Sequence, residues 1–181
     1  MTYYHCSPTG GLQLLMPGKP KHFDKSPRVY LTTSLPMALM YGVRNYEYTY
    51  GYTKDGQIYL EEYFPNALEV LYRGKSASLY ICGPEAVEST EIPNEAVSEE
   101  PVAILEEIQI PDVAQALLEQ EKLGDLVIRR YEDLTEKEKA WILRAEADSI
   151  RKKDLLHNSG DEADYYRIHY PESWALAAQE E

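Results

Sequence analysis

Short aromatic and apolar runs, broken at intervals by Gly and Pro, predict a series of strands and small helices along the chain. Residues 2–6 are aromatic and β-prone, and the cluster Pro8, Gly10, Gly11 ends them in a turn. Residues 12–16 are briefly apolar, 17–27 form a loop rich in Pro, Lys and Gly, and 28–32 (Arg-Val-Tyr-Leu-Thr) predict a second strand. Thr33 or Ser34 then caps a short helix with Pro36 in its first turn, running to about Tyr41 and stopping at Gly42. Tyr46, Tyr48, Tyr50 and Tyr52 alternate with other residues at strand period, Asp55-Gly56 offers a hairpin turn, and 57–63 a return strand. Pro65-Asn66 opens a helix through Tyr72 with Gly74 as its stop, and 78–82 is a strand. Residues 83–94 are expected as an acidic loop and 101–110 as a β-rich segment. Pro111 is expected as the first residue of a helix closed by Gly124, and 126–131 as a further strand.

The spacing changes after that. Thr135-x-x-Glu138 is a capping box that opens a helix to about Leu156, with Ala140, Leu143, Ala147 and Ile150 as its apolar stripe. The tail from Asp164 reads either as a docked helix around Trp174 or as a loosely held segment, and docking is favoured because exposing Tyr165, Tyr166, Ile168 and Trp174 together is costly. Strands first and helices last predict an α+β fold, with one domain over 1–131 and a C-terminal helical extension over 132–181 packed on it.

Composition adds three things. Tyr outnumbers Phe sixteen to two, and twelve of those Tyr precede residue 81, which suits a cleft wall both apolar and wet. The net charge is −13, and eleven acidic residues face one basic residue, Lys122, between Glu85 and Gly124. Nucleic-acid binding draws on Lys and Arg, so this balance argues against DNA or RNA as partners. Two cysteines, Cys6 and Cys82, cannot build a disulfide framework. The N-terminus carries no basic and apolar leader, and no run spans a bilayer, so a cytoplasmic protein without a membrane partner is expected. The four His (His5, His22, His157, His169) show no metal-ligand spacing, and no phosphate-cradling Gly loop occurs, so no metal is expected.

Three short patterns follow one another: Tyr4-His5-Cys6-Ser7 on the first strand; Val29-Tyr30-Leu31-Thr32 leading into a helix that ends at Tyr41; and Asn94-Glu95-Ala96-Val97-Ser98, a carboxylate where an acidic loop enters a strand. In this order and spacing they resemble the His-Tyr-Glu class of ADP-ribosyltransferases, the diphtheria-toxin-like and poly-ADP-ribose-polymerase-like enzymes, over about residues 2–105. The resemblance implies split antiparallel β-sheets with short helices and NAD as co-substrate. It also implies transfer of ADP-ribose to a protein or small-molecule acceptor, or hydrolysis of NAD. Glu95 would stabilise the oxocarbenium-like ribose, His5 with Ser7 would fix a ribose hydroxyl and the diphosphate half, and Tyr30 and Tyr41 would sandwich the nicotinamide. The catalytic set is thus Glu95, His5 and Tyr30, with His5, Ser7, Tyr30 and Tyr41 binding NAD; Glu99 or Glu100 replaces Glu95 if the strand begins one turn later.

The sequence departs from the family at three places. Cys6 stands where Gly usually follows the His, Ala38 where polymerase-like members carry a serine, and Pro93 where arginine-specific transferases carry Gln or Glu. A second expectation is therefore a catalytically lapsed member of the fold that acts as an acidic protein-interaction module. The RNA 2′-phosphotransferases share the fold but need basic residues for RNA phosphates, and the charge argues against them.

Overall fold

The computed structural model describes residues 2–18, 26–83 and 87–179. Ten strands run in chain order: β1 Tyr3–Ser7, β2 Leu14–Leu15, β3 Val29–Thr32, β4 Tyr50–Tyr52, β5 Ile58–Glu61, β6 Ala77–Cys82, β7 Glu88–Ser89, β8 Glu95–Ser98, β9 Val102–Ile110 and β10 Val127–Arg129. The helices are α1 Leu35–Tyr41, α2 Ala67–Tyr72, α3 Val113–Leu123, α4 Glu136–Lys152, α5 Asp161–His169 and α6 Pro171–Gln179. The protein is α+β, with antiparallel pairing and short helices, and its helices dominate the C-terminal part.

The chain divides into two compact units, one of Met1–Tyr48, Tyr52–Ile58 and Leu68–Val127, the other of Thr49–Gly51, Tyr59–Ala67 and Ile128–Glu181. The first holds a seven-stranded sheet in the order β2-β9-β6-β1-β3-β8-β7. Alternation along β3 decides what each side chain meets. Val29 and Leu31 enter a core cluster with Leu15, Tyr80, Cys82 and Val102, while Tyr30 and Thr32 point the other way. α1 packs against β1, β3 and α3, and buries Met37, Leu39 and Met40. Its start is pinned locally. Ser34 is the N-cap and accepts from Met37 N, and Ser34 N in turn donates to Thr32 Oγ1 at 3.0 Å.

The second unit contains most of a three-stranded sheet in the order β10-β5-β4 and the helices α4 to α6. The capping box at Thr135 and Glu138 is complete, and α6 packs against both α4 and α5. Among the described residues, no helix is long and apolar enough to cross a membrane.

Five local expectations need correction. The tyrosine run is a strand only at Tyr50–Tyr52, because the Tyr48 phenol turns back to donate to Val43 O (2.8 Å) and holds the preceding segment in a loop. The acidic stretch contains β7, which pairs with β8. Asp112, not Pro111, starts α3: its carboxylate accepts from Gln115 N, which leaves Pro111 outside the helix. β10 is shorter than expected, since Tyr131–Asp133 form a 3-10 turn. On α4 the buried stripe is Ile142, Glu146, Ala147 and Ile150, while Ala140 is exposed and Leu143 half-buried. A buried glutamate hides that face from a search for apolar positions. Most of the loop expected over 17–27, including His22, lies outside the described residues, as does Glu85.

Candidate functional site

Among the described residues, β1 and β3 share one register pair, Tyr4 opposite Thr32, and Thr32 in turn lies opposite Glu95 on β8. Tyr4, Thr32 and Glu95 are therefore side-by-side neighbours across three strands, on the face that also carries Tyr30. Further along, a side chain replaces the ladder. The His5 imidazole meets the Tyr30 carbonyl at 2.9 Å. A carbonyl only accepts, so His5 carries its proton on Nδ1 and keeps Nε2 as an acceptor.

A cavity of about 210 Å³ opens where these strands part. His5, Tyr30, Tyr41 and Glu95 all line it, so four of the five residues singled out from sequence meet in one place. Ser7 does not line it; its hydroxyl accepts from Thr9 N at 3.1 Å and closes the turn after β1. Cys6 and Ala38 also stand in the wall, with Tyr4, Thr32 and Met37, which the sequence reading passed over. The register of β1, β3 and β8 brings in Tyr4 and Thr32, and the packing of α1 on those strands brings in Met37; single-sequence patterns give neither.

Each candidate is held by its surroundings. Glu95 opens β8 and is 8% exposed. Its Oε1 accepts from the Thr90 hydroxyl at 2.9 Å, and Thr90 N donates to the Glu95 carbonyl. The residue before it, Asn94, adopts φ +63°, a conformation Asn tolerates, and Thr33 N donates to its carbonyl. Tyr52 braces the same turn through a 2.6 Å bond to Pro93 O. Tyr41 ends α1 with its ring against Tyr48, centroids 4.5 Å apart. The alternative carboxylates stand elsewhere. Glu99 and Glu100 follow the end of β8 on the exposed side, and Glu99 pairs with Arg28 at 3.0 Å, which helps hold its carboxyl below the ordinary value after the bond from Ser26.

Burial sets the electrostatics of the cavity wall. It pushes the Cys6 thiol up to about 12, so this group is no nucleophile at neutral pH. Burial also lowers His5 from its ordinary 6.5, and the bond to Tyr30 opposes this only in part. The folded protein thus resists a proton that the unfolded chain accepts below pH 6.5, and stability falls as pH drops through that value toward the lowered one. The melting temperature is expected to fall further between pH 7.5 and 5.5 in the wild type than in His5→Gln. Equal losses in thermal denaturation would show that His5 does not bind protons differently on folding. His169, stacked on Phe64 in the second unit, is lowered in the same direction and stays in both proteins.

A larger hollow of about 560 Å³ lies in the second unit between Phe64, Ile142 and Tyr170, but it contains none of the catalytic or NAD-binding residues expected from sequence. Among the described residues, no group of three metal-ligating side chains is gathered. No protein-family model matches the chain, and no curated protein matches it in sequence.

Proposed function

We propose that the first unit binds the nicotinamide end of NAD in this cavity and transfers the ADP-ribosyl group to an acceptor or to water, as an ADP-ribosyltransferase does. One observation carries the reading. An imidazole, two phenols and a buried carboxylate from four separate elements converge on one cavity, in the order and spacing of the resemblance. At about 210 Å³ the space suits a nicotinamide-sized ring and is smaller than a pocket for a whole cofactor, so the rest of the dinucleotide lies outside it. Tyr30 and Tyr41 offer ring faces to nicotinamide, and neutral His5 offers Nε2 to a ribose hydroxyl. As the glycosidic bond breaks, its electron pair leaves with nicotinamide, and the Glu95 carboxylate stabilises the cationic ribose.

A second reading has its own support. Ala38 and Cys6, two of the departures from the family, both line the cavity, which takes away a hydroxyl partner and adds bulk. That arrangement favours a lapsed enzyme that serves as an acidic interaction module. Calorimetric titration with NAD separates the two readings. Saturable heat with a rise in melting temperature is the expected result, and silence in both at millimolar NAD gives the interaction module.

A further inference from the structure

The hairpin that carries Glu95 is closed by a threonine. β7 and β8 pair antiparallel with Glu88 opposite Val97 and Ser89 opposite Ala96, so the next pair in that register is Thr90 and Glu95. Thr90 N donates to the Glu95 carbonyl at 3.2 Å, which carries the ladder one step past β7. Residues directly opposite share a face of the sheet, so the Thr90 side chain stands beside the carboxylate. Across the other neighbour Glu95 faces Thr32 of β3, whose hydroxyl is engaged with α1 and its cap. It donates to the Met37 sulfur at 3.3 Å and accepts from Ser34 N at 3.0 Å.

The Thr90 hydroxyl has one proton to give and lone pairs to receive. Ile92 N donates to it at 3.1 Å and takes up a lone pair. Two acceptors compete for the proton, Glu95 Oε1 at 2.9 Å and Ile92 O at 3.5 Å. The shorter contact, to a carboxylate, is the stronger bond, so the proton points at Glu95. The turn around it is closed by Glu95 N, which donates to Ile92 O at 3.1 Å. A branched Cβ stiffens the threonine side chain as well, so the hydroxyl arrives from a fixed direction. Thr90 does not line the cavity, whereas Glu95 does.

We propose that Thr90 is the positioning residue of Glu95: its hydroxyl selects one orientation of the carboxylate in the cavity wall and keeps it there while positive charge develops on the ribose. The catalytic part of this inference rests on the transferase reading above; the hold on the carboxylate does not. A glutamate side chain turns about several bonds, and a charged group assists a reaction only when held within about 0.5 Å of its productive place. The bond from Thr90 restrains the end of that side chain without touching the ligand. Its loss therefore belongs in kcat rather than in KM.

The test compares Thr90→Val, which keeps the shape and removes the hydroxyl, with Thr90→Ser, which keeps the hydroxyl. Nicotinamide release at saturating NAD is expected to fall about 10–100-fold in Thr90→Val, with KM for NAD within about threefold, and to return to within about threefold of wild type in Thr90→Ser. In a Glu95→Gln background Thr90→Val is expected to cost less than about twofold more, because the amide there carries no charge to aim. A loss of the same size in both backgrounds, or one that appears in KM, makes Thr90 a support of the turn alone and overturns the proposal. Should Thr90→Val fail to fold, Thr90→Ala removes the same proton and is read the same way. The 13C carboxyl signal of Glu95, assigned by its loss in Glu95→Gln, tests the hold without any turnover. It is expected to move in Thr90→Val and to stay in place in Thr90→Ser, and an unmoved signal in Thr90→Val also overturns the proposal. If wild-type protein releases no nicotinamide while that signal moves, the transferase reading falls and the hold on the carboxylate stands.

Discussion

Glu95→Gln is expected to reduce turnover of NAD by about 10²–10³-fold, the scale on which one preorganised electrostatic group acts in a transition state. NAD affinity is expected to stay within a few-fold. The substitution removes a charge while keeping size, and its amide oxygen still accepts from the Thr90 hydroxyl that holds Oε1 in the wild type. The ground state of NAD places less positive charge beside the carboxylate than the transition state does, so the loss belongs in kcat rather than in binding. Nicotinamide release, measured at saturating NAD, checks the first part and calorimetry the second. A variant with wild-type turnover removes Glu95 from the chemistry, and a variant that loses NAD binding as well makes it a binding residue.

The largest effect on stability is expected at Tyr80. Its ring is fully buried in the cluster with Leu31, Cys82 and Val102. Its hydroxyl donates to Thr9 O at 2.7 Å and accepts from Leu12 N at 3.3 Å, so one side chain ties β6 to the loop after β1. Tyr80→Ala is expected to cost about 3–5 kcal/mol through lost burial and the cavity left behind. Tyr80→Phe keeps the ring and is expected to cost about 1 kcal/mol, the net worth of its hydrogen bonding. Urea denaturation of both variants checks this. Equal losses would place the stabilisation in the hydroxyl rather than in the packing.

Local signals were readable wherever one residue controls one turn. The Thr135 capping box and Gly124 at the end of α3 act within a few residues and are found where the chain pattern puts them, and of the two caps offered for α1, Thr33 and Ser34, the structure uses Ser34. The tyrosine run misled because alternation is only half of a strand; Tyr48 satisfies its hydroxyl within its own loop, which no periodicity registers. On α4, Glu146 is buried among apolar neighbours, so the core face does not read as apolar. At the site, His5, Tyr30, Tyr41 and Glu95 were named from short motifs, whereas their supports were not. Thr90, Tyr52 and Tyr4 depend on strand register and on turns closed by side chains, and such contacts join residues with no sequence relation. Ser7 joins His5 through the His-x-Ser motif of the resemblance, yet the end of β1 commits its hydroxyl to a turn.

The bond between the imidazole of His5 and the backbone at Tyr30 also fastens β1 to β3 at the wall of the cavity. Among the described residues the two strands share one register pair, so beside it the imidazole is what spans them. Replacing His5 is therefore expected to loosen this strand junction as well as to remove a proton acceptor, and the two effects arrive together in any binding measurement.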